Sequence, residues 1–144
     1  MASADECRAT IDANRDALRE ALIGAGASWD QPPSESDDEE QWSPRQVAEH
    51  AIGAERTFAG MIAALTDAEA PERQELSLAT VEEVIAALEA AINDANTVLL
   101  GLSDDDLAIE ARAIGNFPPS VEGILQLTAH HLEDHSKQIA AAGA

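Results

Sequence analysis

The segment Thr128-Ala-His130-His131-Leu-Glu-Asp-His135-Ser-Lys-Gln138-Ile139 decides how this chain is read. It carries three of the four histidines in the sequence. His131 and His135 are four residues apart, so on a helix they stand one above the other on the same face. Val121, Ile124 or Leu125, Thr128, His131 or Leu132, His135, and Gln138 or Ile139 then form one seam. This predicts a helix from Ser120 to about Ala140 whose inward face carries two imidazoles. Ser120 caps it without a capping box, because Gly123 stands where that motif needs Glu or Gln. His130 falls off the seam and is expected to point outward.

Working upstream, the fourth histidine closes Trp42-Ser-Pro-Arg-Gln-Val-Ala-Glu-His50. Serine followed by proline is a helix start, with Ser43 as cap and Pro44 at the first helical position. The stripe Val47, Ala51, Ala54, Phe58, Met61 or Ile62, Leu65 predicts a helix to about Leu65. His50 borders this stripe and can face inward, and Trp42 is placed to staple the helix start to the core. Two further helices are expected. One runs from about Asp5 to Ile23 on Ile11, Ala17 or Leu18, and Leu22, stopped by Gly24 and Gly26. The other runs from about Thr80 to Leu100 on Val81, Val84 or Ile85, Leu88, Ile92, and Val98 or Leu99. Thr80 and Glu83 read as a capping box, and Gly101 follows the helix end. An acidic loop at 27–43, a polar link at 66–77 and a longer connection at 102–119 join them. Asp104-Asp105-Asp106 is placed to open a short helical turn within that connection. The whole, 1–144, reads as a single all-α domain, a four-helix bundle.

Composition agrees. Apolar residues make up 45% of the chain but aromatics only 3%, so the core must be mostly Ala, Leu, Ile and Val. The formal net charge is −20, from 28 acidic and 8 basic residues. Such a chain repels nucleic-acid backbones and anionic lipids, which argues against nucleic-acid and membrane partners. The acidity serves solubility or suits a salty milieu, where self-repulsion is screened. No apolar window reaches the roughly 18 residues of a membrane span, and no signal sequence opens the chain, so a cytoplasmic location is the expectation. The single cysteine, Cys7, has no internal disulfide partner and reads as incidental.

If the second and fourth helices pack together, His50, His131 and His135 can share one divalent metal such as Zn²⁺, Ni²⁺ or Fe²⁺. Three protein ligands leave room for water or substrate. The spacing alone is equally that of packed core histidines. His131-Leu-Glu-Asp-His135 is not the metalloprotease motif, because Leu132 stands where that motif has glutamate. Gln138, three residues after His135, either holds a metal-bound ligand or closes the end of the core. Glu133 and Asp134 are expected to face solvent.

The Trp42-Ser-Pro start with His50, followed by His131-x3-His135 and Gln138-Ile139, resembles the DinB-like (DinB/YfiT) family over nearly the whole chain. That resemblance implies a four-helix bundle, often dimeric, with His50, His131 and His135 as ligands of a divalent metal. It implies a small-molecule substrate and, in some relatives, S-transfer from a low-molecular-weight thiol cofactor; others are described as metal-dependent hydrolases. The chain departs from the pattern in its acidity, which suits an anionic thiol poorly. Arg45, Arg56 and Arg112 are the cations available to hold carboxylates, each otherwise a surface ion-pair partner. Two readings stand beside the enzyme: a non-catalytic metal-binding module and a structural bundle.

Overall fold

The computed structural model describes residues 3–25, 43–72, 80–110 and 120–142. Four helices account for most of these: α1 (Ala4–Gly24), α2 (Pro44–Thr66), α3 (Val81–Leu99) and α4 (Val121–Ala142). A 3₁₀ turn, Asp104–Ala108, lies where the aspartate run was expected to open a short helix. Trp42, Gly26, Arg112 and nearly all of the acidic loop fall outside the described residues.

Each helix begins where its cap dictates. Ser3 Oγ accepts the Glu6 N–H and Thr80 Oγ1 accepts the Glu83 N–H, satisfying donors that a first helical turn leaves orphaned. At α2, Ser43 Oγ accepts from Gln46 N at 3.3 Å while Gln46 Oε1 accepts from Ser43 N at 2.9 Å, a full capping box beside Pro44. Ser120 Oγ accepts from Gly123 N at 3.1 Å, a lone serine cap as the sequence predicts. α2 ends at Asp67, whose φ of 56° places it in the left-handed region.

α4 packs against both α1 and α2, α2 also packs against α3, and α1 touches α3 more lightly. The helices therefore ring the core in the order α1, α4, α2, α3. The core is aliphatic, as the composition requires: Ile11, Leu18, Leu22, Ile52, Ile62, Leu88, Ile124, Leu125, Leu132 and Ile139 are all nearly or fully buried. Each such side chain contributes about 1.5–3 kcal/mol relative to staying in water. Buried alanines, among them Ala48, Ala51, Ala59, Ala63, Ala91 and Ala95, fill the close approaches.

Stitches between elements fix the bundle ends. Asp104 Oδ1 accepts the Ala4 N–H at 2.8 Å, a carboxylate at the positive end of α1. Arg8 Nη1 donates to the carbonyls of Leu99 and Leu102, both at 2.9 Å, supplying the cation that the last turn of α3 lacks in its own sequence.

A buried charge pair crosses the core. Arg15 of α1 and Glu55 of α2 have side chains only 2% and 1% exposed. Arg15 Nε and Nη2 donate to Glu55 Oε1 and Oε2 at 2.8 and 2.7 Å. Its Nη1 donates to Asp12 Oδ1 and Asn96 Oδ1, each at 3.0 Å. The bidentate fork and the two further acceptors leave none of the three guanidinium nitrogens unmet. No helix among the described residues is long and apolar enough to cross a membrane.

Candidate metal centre

The capping box fixes where α2 starts, and His50, three residues after buried Val47, lies on the side that meets α4. On α4 the four-residue spacing stacks His131 and His135 on the face that meets α2. The three Nε2 atoms converge there. His50 Nε2 lies 3.0 Å from His131 Nε2, and His135 Nε2 lies 3.0 Å from His131 Nε2. The ligand atoms of all three rings lie within 4.8 Å of one another. Ligands about 2.0–2.1 Å from one ion are separated by about 2.9 Å in a right-angled arrangement and about 3.4 Å in a tetrahedral one, so the observed spacing fits a shared cation.

Gln138 determines which nitrogen of His135 faces the cluster. Its Oε1 lies 3.1 Å from His135 Nδ1. An amide oxygen only accepts, so Nδ1 carries the proton and Nε2 presents its lone pair to the other two rings. This is the backing hydrogen bond that metal-ligating histidines ordinarily have. Gln138 thus meets the side of the His135 ring that faces away from the cluster.

Burial, reinforced by the neighbouring His135, His50 and His130, pushes the His131 imidazole down from its ordinary 6.5 to about 4. It is neutral, the form that binds metal, across the physiological range. Phe58 covers one side of the cluster, its ring edge-on to His131 with centroids 5.4 Å apart.

The cluster opens into a groove of about 410 Å³, within the range of small-molecule sites. Gly53 and Ala54 of α2 lie along it with Thr57, and the walls include His50, His131, Phe58, Glu49 and Arg56. Glu49 Oε1 is 3.3 Å from Arg45 Nε, both partly exposed, so Arg45 is the surface ion-pair partner expected of it. Arg56 is not. It is only 3% exposed, because its position on α2 turns it toward α3, where its Nε donates to Asp94 Oδ2 at 2.9 Å.

The other polar residues of α4 lie apart. His130 is exposed and pairs with Asp134 at 3.2 Å. Glu133 pairs with Lys137 at 2.7 Å. Cys7 is buried on α1, and that burial, with the nearby Glu122, raises its thiol pKa, so it is not poised as a nucleophile.

Sequence reading missed the Arg15–Glu55 pair, although a signal was present. Arg15 lies four residues after Ile11 and three before Leu18, inside the apolar stripe of its helix; Glu55 lies four after Ala51 and four before Ala59.

A four-helix bundle whose second and fourth helices bring three imidazoles to one point is a candidate metalloprotein. A model of the DinB superfamily matches residues 10–139, and the chain belongs to that superfamily. Searches of curated proteins and of solved structures returned no match.

Proposed function

We propose that the protein is a metal-dependent enzyme acting on a small molecule, with His50, His131 and His135 holding one divalent cation. The observation that carries this is the convergence of three imidazoles beside an open groove, with the Nε2 atoms of His50 and His135 each 3.0 Å from His131 Nε2. Lone pairs brought this close repel unless a proton or a cation lies among them. A cation held there would lower the pKa of a bound water toward about 7, or keep a bound thiol as thiolate.

The protein's own residues prepare the site. Gln138 keeps the His135 lone pair aimed inward, Phe58 excludes water from one side, and burial keeps His131 unprotonated. Thiol S-transfer is the first reading: the thiol sulfur bonds to an electrophilic carbon, the leaving group departs with its bonding pair, and the thiol proton passes to solvent. Hydrolysis is the second, and Glu49 is the observation that favours it. Its carboxylate stands in the groove wall, where it can take a proton from water.

Protein purified without a histidine tag should contain close to one equivalent of divalent metal by elemental analysis. His135→Ala should contain almost none. Wild-type protein that takes up no Zn²⁺, Ni²⁺ or Fe²⁺ on reconstitution sinks the reading, and full metal retention by His135→Ala sinks the ligand assignment. A panel of low-molecular-weight thiols with an electrophile, and of esters without a thiol, each run with and without chelator, separates the two reactions.

A further inference from the structure

Among the described residues two arginines are buried, and only one of them is fully partnered. Arg15 has acceptors for all three nitrogens. Arg56 has one, Asp94, at Nε; its Nη1 is buried and has no hydrogen-bond partner among the described residues. A buried guanidinium donor without an acceptor is costly and rare, and such a group calls for an acceptor from outside the chain. Arg56 stands in the wall of the groove that also holds His50 and His131.

We infer that this groove takes a small carboxylate ligand, with Arg56 as the residue that anchors the carboxylate. The inference rests on the metal reading for what the rest of the ligand faces, and it names the chemical class that the site recognises. A guanidinium fork matches a carboxylate in shape and charge, and Arg56 keeps donors uncommitted after Asp94 has taken Nε.

The surrounding charges agree. Asp94 takes Arg56 Nε, and Glu49, the carboxylate in the described groove lining, is itself paired with Arg45. On a chain of net charge −20 an anion meets repulsion almost everywhere, so a binding site for one needs a built-in cation. A divalent ion at the histidines would add positive charge along the same groove. Gly53 leaves the path between the two open, since a Cβ there would meet nothing within 4 Å.

The test uses benzoate and benzamide, which share a shape but differ in charge, titrated into metal-loaded and chelator-treated full-length protein. The readouts are the Arg56 Nε–Hε NMR signal, assigned with Arg56→Lys, and the dissociation constant. Benzoate should shift that signal saturably and benzamide should not. Arg56→Gln should weaken benzoate by about tenfold or more, the range expected for losing a charge-assisted hydrogen bond, while metal content stays at the wild-type level. Gly53→Leu, which favours the helix and fills the groove, should abolish benzoate binding and leave the metal in place; it also serves if Arg56→Gln folds poorly. Equal affinity of Arg56→Gln and wild type would place the carboxylate on the metal and overturn the inference, as would equal binding of benzamide. The Arg56→Gln to wild-type ratio in chelator-treated protein is read without any metal, so failure of the metal site and failure of Arg56 are distinguishable.

Discussion

Two of the polar centres that interrupt the aliphatic core among the described residues are built on opposite principles. At the Arg15–Glu55 centre, donors and acceptors are matched: one guanidinium fork, one carboxylate fork, and Asp12 and Asn96 for the remainder. At the histidine cluster, three groups of the same kind are brought together, and their mutual contacts cannot satisfy them all. The first centre closes on itself and needs nothing further. The second is a set of donors that could hold a metal ion. A matched set serves the fold, and an unmatched convergence of lone pairs marks a site.

The sharpest way to break the comparison is to unmatch the first centre. Arg15→Ala strands the Glu55 carboxylate in the core and should cost about 3–5 kcal/mol in denaturant melts. Arg15→Met combined with Glu55→Leu removes both charges and should recover most of that loss. If Arg15→Ala melts like wild type, the centre is not what holds α1 against α2 and α3.

A smaller effect tests how the second centre is backed. Gln138→Ala removes the acceptor at His135 Nδ1 and frees the ring to change tautomer, so metal affinity should fall by about 10–100-fold with the fold intact. Competition titration against a chromophoric chelator measures it, and unchanged affinity would show that packing alone orients His135.

The smallest effect is pH-dependent. The His131 pKa is about 4 in the folded chain against an ordinary 6.5, so between those values the unfolded chain binds the extra proton. The stability linked to His131 is fully present above about 6.5 and is lost as pH falls toward 4. Metal-free wild type should therefore lose stability relative to His131→Gln across that window. The difference between the two removes the opposing gain from protonating the surface carboxylates; a difference flat with pH contradicts the burial argument.

Much of the bundle was legible in the sequence because periodicity and caps are local. Ser43-Pro44, Thr80 and Ser120 each begin a helix where the pattern places one, and His50, His131 and His135 lie on inward seams that can be counted from the chain alone. The capping partner Gln46 is equally readable, three residues after Ser43. What the sequence withheld depends on which helices are neighbours. Arg56 looks like any surface arginine until α3 brings Asp94 to it, and Arg15 looks like a charge between apolar positions until Glu55 arrives from forty residues away. Gln138 had two readings, holding a metal-bound ligand or closing the end of the core, because a three-residue spacing fixes only the face it shares with His135.

The Arg15–Glu55 bond also bears on how firmly the rods are held lengthwise. Where buried alanines line a contact, small side chains offer little to stop one helix gliding along another. A slip of α1 by one turn, about 5.4 Å, would carry its guanidinium past both Glu55 and Asn96, leaving the Glu55 carboxylate bare in the core and Arg15 with only Asp12 of its own helix. That penalty opposes any lengthwise slip of α1 against α2 and α3.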